Sequence, residues 1–488
     1  MAENNKPYRF IKTGLANKGY RTLANTSLKR DHHSGDWAQR GENLRKEGRY
    51  MQAISAFKRA VESDPEYAWA WAHMGEAMRQ AERYREAVEA LDRSIELDPE
   101  YRWAISSKGQ ALRQMGAYQE AVAALERVLE IDPTYDWAWA QKGEALREWG
   151  EYDRALTAFN RAIELDPEYA WAWAHKAETL RQMERLKEAL SVFDQAIALN
   201  PNYGWAICSK GQALGRMGRY EEAIVEFDAG LLHAPDLDWA WAEKGELLRK
   251  LNRYDKALAA FDEALELSPD YSWALAHKGI TLRQNGDPEG AIPFLKRATE
   301  IDTRYSWAFA ELGEAYRLAN NLDKAIDAFT QATEIRPEYP WAWGSKGQAL
   351  RQTGHYQKAL TALETAIEQD ATLVWVWGEK GQTLHEMERF EEAVEAFDQS
   401  IALDSNYDWG LAHKGSALRR LSRYDEALEM LEQAISIDSD YSWAWREKGL
   451  ALQEAGRDRE ALAAYDRALE LEPDNKWVQE RRQELLAE

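Results

Sequence analysis

The chain has one cysteine, Cys208, so it can form no internal disulfide and no cysteine-built zinc site. Proline and glycine are sparse, 13 and 29 in 488 residues, too few for a loop-rich all-β protein or a low-complexity linker. No run approaches the ~18 apolar residues of a membrane helix. The opening residues, MAENNKPYRFIKTGL, are partly basic but lack the apolar stretch of a signal peptide, so a cytoplasmic location away from membranes is expected. Catalytic signatures are missing as well: there is no glycine-rich phosphate loop followed by Lys-Ser/Thr, no HExxH and no nucleophile elbow. The nine histidines are scattered apart from His32-His33. The expectation is a protein that is not an enzyme and uses no metal or cofactor, with Cys208 as a small packing residue.

What is present is a soluble, core-forming composition, 45% apolar and 30% charged, with a formal charge of −22 and 22 tryptophans. The chain repeats itself every 34 residues. A glycine marks the register at Gly41, Gly75, Gly109 and Gly143, is replaced by Ala177, and returns from Gly211 through Gly449. That register predicts thirteen repeats over 34–475. An alanine stands twenty residues into every repeat, from Ala53 to Ala461, and most repeats close with Asp-Pro or a relative. A supersecondary unit of this size cannot bury its apolar face alone and must stack on its copies.

The segment 136–169 shows the plan. Trp139, Gly143 and Leu146 share one helical face, and Gly150 can end that helix at positive φ. Ala155, Phe159 and Ala162 share the face of a second helix, which Asp166-Pro167 stops. Small residues at Gly143 and Ala155 let the two helices approach closely. This pattern of bulky residue, glycine, large apolar residue and later Ala, Phe, Ala and Pro resembles the tetratricopeptide repeat family across about 90% of the chain. The resemblance implies an all-α, right-handed superhelical α-solenoid whose first helices line a concave groove, and a binding scaffold. Residues 476–488 then read as a C-terminal capping helix. Lysine usually precedes the glycine (Lys108, Lys142, Lys176, Lys210) where the family more often has leucine; its stem can cover apolar surface while its head reaches water. The closing proline is lost at Thr303, Ala371, Ser405 and Ser439, where looser junctions are expected. Pro293 is expected to kink a second helix, whereas Pro288 and Pro340 stand near helix starts.

The face of each first helix that the core does not use carries positions two, five, six, nine, twelve and thirteen of the repeat. Position two is tryptophan in twelve repeats: Trp69, Trp103, Trp137, Trp171, Trp205, Trp239, Trp273, Trp307, Trp341, Trp375, Trp409 and Trp443, with Trp477 continuing the series. Position twelve is arginine in ten, among them Arg79, Arg113, Arg147, Arg181, Arg249, Arg283, Arg317 and Arg351. Position nine is Glu or Gln in ten, including Gln110, Gln212 and Gln348, and position five is nearly always small, leaving room for an indole to lie flat. Tryptophan with arginine is typical of binding hot spots, so this ladder is the candidate ligand-binding groove. Two structural readings stand beside it. The indoles can pack on the tyrosines that end the preceding repeats (Tyr67, Tyr101, Tyr135), and Arg79 can form a surface pair with Glu76.

A protein or extended-peptide partner ranks first. Single-stranded nucleic acid, stacking on the indoles with arginines to phosphates, ranks second because the charge of −22 opposes it. A glycan ranks third. Position six recurs every three repeats (His73, Ser107, Gln141, His175, Ser209, Glu243, His277), which reads as duplication of a three-repeat block. The segment 1–33 lies outside the array and carries seven basic residues against Glu3 and Asp31, a net +5. It reads as an N-terminal cap, or as a basic arm that docks on the protein's own groove, a partner or a polyanion.

Overall fold

The computed structural model describes residues 32–487. The basic segment thus lies almost wholly outside the described residues. Within them every regular element is an α-helix, from α1 (His32–Lys46) to α27 (Lys476–Ala487), twenty-seven in all.

The helices form hairpins, of which α7 (Asp136–Trp149) and α8 (Tyr152–Leu165) are representative. Gly150 separates them at φ 89°, and the following N–H, that of Glu151, closes on the Leu146 carbonyl at 2.9 Å. Six other repeats make the same left-handed turn without glycine, at Glu82, Glu184, Asn252, Asn320, Glu388 and Ser422. Inside the hairpin, a Cβ on Gly143 would lie 2.8 Å from the Phe159 ring. That glycine therefore admits the aromatic side chain of the second helix. Ala155, Phe159 and Ala162 are fully buried, and in the fifth repeat Ala177 is buried in the same place.

Between repeats, Asp166 accepts the backbone N–H of Glu168 at 3.0 Å, which shapes the turn after the second helix. Trp173, fourth in its helix, then donates from Nε1 to the Pro167 carbonyl at 3.0 Å. Where the proline is lost, the same bond forms from Trp377 to Ala371 at 2.9 Å and from Trp445 to Ser439 at 3.0 Å. The expectation of looser junctions at those two places is corrected: the indole needs a carbonyl, which any residue supplies. The lysine beside the repeat glycine is also more than a solvated head. Lys142 lies over the Trp139 ring at 5.2 Å and pairs at 2.8 Å with Glu126 on α6 (Tyr118–Ile131), the second helix of the preceding repeat. In α16 (Pro288–Ile301) the helix runs unbroken through Pro293, while Pro288 and Pro340 occupy helix starts.

The chain divides between Ala234 and Pro235 into two compact units. In each, a second helix packs between the first helix of its own repeat and that of the next, as α8 does between α7 and α9 (Ala170–Gln182). Stacking thus buries the apolar stripe that each helix presents.

Candidate functional site: the first-helix face

The twelve position-two indoles are half-buried, and Trp477, which continues the series, is exposed at 37%. Where a tyrosine stands two residues earlier the ring lies against it, with centroid distances of 5.9 Å for Tyr67 and Trp69 and 6.0 Å for Tyr169 and Trp171; before Trp239 and Trp375 that place is taken by Leu237 and Leu373. The small residue at position five makes room for an indole, and that indole belongs to the protein. A Cβ on Gly344 would come within 2.6 Å of Trp375, and one on Gly378 within 3.0 Å of Trp409. The row is therefore tiled, each indole partly covered by neighbouring side chains of the chain itself. The two tryptophan series differ in one polar atom. Position-four indoles spend their N–H on the turn carbonyl, as Trp71 does on Pro65 at 3.0 Å. At position two, Trp103, Trp137, Trp171, Trp341 and Trp375 are among those whose Nε1 has no acceptor among the described residues and is not sealed from water.

Every arginine of the predicted ladder holds a carboxylate. Arg79 grips Glu76 with Nε and Nη2 at 2.9 and 2.7 Å, and Arg147, Arg181, Arg249 and Arg317 grip Glu144, Glu178, Glu246 and Glu314 in the same fork. Where position nine is not Glu, the guanidinium reaches the next repeat: Arg113 to Glu148, Arg283 to Glu311, Arg351 to Glu379 and Glu386. The expected surface pair of Arg79 and Glu76 is corrected, since the two side chains are only 11% and 8% exposed. Burial opposes ionisation of Glu246, but hydrogen bonds from His277 and Arg249 outweigh it and hold the carboxyl at about 2. Gln110 donates to Gln141 at 3.5 Å and Gln348 to Glu379 at 2.6 Å. Gln212 is half-buried on α11 (Gly204–Arg216).

Position nine of one repeat meets position six of the next, 31 residues on. His175 Nδ1 donates to Glu144 at 2.9 Å, His277 to Glu246 at 2.8 Å, and Ser416 Oγ to Glu447 at 3.0 Å. Each of these histidines also lies between two indoles: His175 is 3.8 Å from Trp171 and 4.9 Å from Trp205. Sequence reasoning took the three-repeat recurrence as duplication and missed this contact. The signal was present in the 31-residue pairing. Glu42, Glu144 and Glu246 are followed by histidine at that interval, and Glu76, Glu178 and Glu314 by serine. Glu311, Glu379 and Glu447 are preceded by Ile280, Gln348 and Ser416. No carboxylate of these sets is placed against another.

Cys208 is fully buried; burial and the nearby Glu226 charge push its thiol up to about 12. A Cβ on Gly230 would lie 2.4 Å from its sulfur, so the thiol fills the space that this glycine leaves. Among the described residues no group of three His, Cys, Asp or Glu side chains is placed to share a metal, and no helix is long and apolar enough to cross a membrane.

Stacked helical hairpins with one regular, chemically patterned face define a helical-repeat scaffold. Tetratricopeptide repeat models match residues 44–106, 112–174, 146–211, 180–244, 282–349, 317–375 and 418–487, with further matches at 236–304 and 376–407. The chain belongs to the tetratricopeptide repeat family. No curated protein matches it. Among solved structures, the APC/C hetero-tetramer Cut9-Hcn1 is similar at 13% identity and a TM-score of 0.48, covering 94% of this chain and 97% of that one. YrrB, described as a tetratricopeptide repeat protein with an unusual peptide-binding site, is similar at 18% identity and 0.33, covering 39% and 97%. The MamA protein is similar at 24% identity and 0.32, covering 34% and 92%.

Proposed function

We propose that this chain is a non-enzymatic binding scaffold, and that the face of its first helices recognises a partner protein through an extended peptide segment. One observation carries the choice of ligand: every predicted ladder arginine is already committed to a glutamate. A phosphate backbone needs free cations, and each arginine here would have to exchange a buried carboxylate for it. The indoles, each partly covered by neighbouring side chains, offer little free π-face for a base to stack on. A peptide asks for neither. It needs apolar edges, hydrogen-bond donors and acceptors at regular intervals, and a rigid surface that loses little entropy on binding. The ion-pair network gives that rigidity.

The test pans the full chain against a random peptide display library and, in parallel, a single-stranded oligonucleotide pool at low and high salt. Selected peptides whose binding falls with Trp137→Phe and Trp171→Phe support the reading. Oligonucleotide binding that falls steeply with salt would replace it by the nucleic-acid alternative.

A further inference from the structure

The chemistry of the peptide follows from three properties of the indole row. The first is its interval. His73 lies 3.8 Å from Trp69 and 4.3 Å from Trp103, and His413 lies 4.0 Å from Trp409 and 4.2 Å from Trp443. An imidazole has two faces, so the two indoles sit on opposite sides of it. At these histidine-bearing junctions the successive indole centroids are therefore no more than about 8–9 Å apart, an interval that the ~9.3 Å turn of polyproline II approaches.

The second is hydrogen-bond sense. The unpaired groups on this face are mostly donors: the indole nitrogens of Trp103, Trp137, Trp341 and Trp375 have no acceptor among the described residues, and the buried atoms without a partner include Nε of Arg113, Arg283 and Arg419 against one side-chain carbonyl, Oε1 of Gln382. An indole can only donate. The nearby carboxylates of Glu76, Glu144 and Glu178 are occupied by arginine. A face rich in spare donors and poor in spare acceptors fits a backbone that has carbonyls and few N–H groups. Proline has no N–H, and polyproline II makes no internal hydrogen bonds, so its carbonyls are free.

The third is charge: with its guanidinium groups paired, the row favours an uncharged ligand. We propose that the first-helix face takes an uncharged, proline-rich segment in the polyproline II conformation, its carbonyls accepting from one position-two indole N–H per turn. This rests on the peptide reading given above. Proline rings against the indoles supply the apolar contact, and the stiff ligand loses little entropy on docking.

The test titrates the full chain with a capped oligoproline of about twelve residues, roughly four turns, and with a capped Gly-Ser peptide of equal length. Tryptophan emission and ligand anisotropy are followed. The expected result is at least about tenfold tighter binding of oligoproline. Replacing Trp103 and Trp137 together by Phe keeps aromatic bulk but removes two donors, and should weaken oligoproline about tenfold. Trp139→Phe, whose N–H is spent on the turn, should leave affinity unchanged. Melting is checked for each variant, and Trp341→Phe with Trp375→Phe provides a second pair in the other unit. Equal affinity for the two peptides, or full affinity in both double variants, overturns the proposal. Proline-free ligands from the random library, with no oligoproline binding, would overturn it while leaving the peptide reading intact. No ligand from either source would remove both.

Discussion

His175 donates to Glu144 at 2.9 Å across a repeat junction, while its ring lies between Trp171 and Trp205. Glu144 also holds Arg147, so one buried carboxylate fastens its own helix and the next repeat together. Burial opposes its ionisation, yet Arg147 and His175 keep it charged and well below the usual carboxylate range. Repeats are thus not interchangeable: at several junctions a group at position nine meets its complement 31 residues on.

That pairing predicts which repeats can be removed. Deleting 102–135 brings Glu76 opposite Gln141, an acceptable match. Deleting 272–305 brings Glu246 opposite Glu311 and also removes Arg283, which pairs with Glu311. Two buried carboxylates would then face each other. The second deletion should melt well below the first, and Glu311→Gln in that background should recover about 2–3 kcal/mol. Equal melting of the two deletions, with no effect of the rescue, would show that the junctions tolerate any order.

Glu82 and Glu184 adopt φ of 62° and 58° at the turn where Gly150 stands in another repeat. A side chain is strained there and glycine is not. Glu184→Gly should raise stability by up to about 1 kcal/mol, and Gly150→Ala should lower it by a similar amount. Urea midpoints measure both. A loss of stability in Glu184→Gly would mean that the ion pair of Glu184 with Arg216 outweighs the strain relief.

His413 supplies a pH dependence. Burial lowers its pKa to about 3, helped by the charges of His385, Arg351 and Arg446. The unfolded imidazole titrates near ~6.5. The folded state therefore binds fewer protons than the unfolded state between those values, and stability falls as pH drops through that window. The slope approaches ~1.4 kcal/mol per pH unit from this one group. His413→Gln should flatten the melting-temperature profile between pH ~6 and pH ~4 relative to the parent. An unchanged profile would show that His413 does not titrate in folding.

The periodicity of glycine, alanine and aromatic residues made the hairpin legible, because packing at Gly143 against Phe159 recurs every 34 residues and leaves the same mark each time. The first-helix face was legible in position but not in exposure. Periodicity places Trp375 opposite the core stripe, yet only the stack reveals that it rests on Gly344 of the preceding repeat. Contacts between residues 31 or 35 apart, such as Arg79 to Gln114 at 2.9 Å, combine helix pitch with the offset between repeats, which one repeat read alone does not contain.

The two tryptophans of a single helix give the sharpest contrast. Trp139 donates to the Pro133 carbonyl at 3.0 Å, while the Trp137 nitrogen, two residues earlier, has no acceptor among the described residues and is not sealed from water. Replacing either by Phe removes one N–H and keeps an aromatic ring. Trp139→Phe leaves the turn carbonyl without its partner and should cost about 1 kcal/mol of stability. It should leave ligand affinity alone. Trp137→Phe breaks no bond within the protein, so melting should move little, but a ligand carbonyl seated there would lose its donor, weakening affinity about fivefold to tenfold. Measuring both variants for melting and for peptide affinity tests the assignment of one series to the fold and the other to the ligand. If Trp137→Phe lowers melting as far as Trp139→Phe and leaves affinity untouched, both tryptophans belong to the fold.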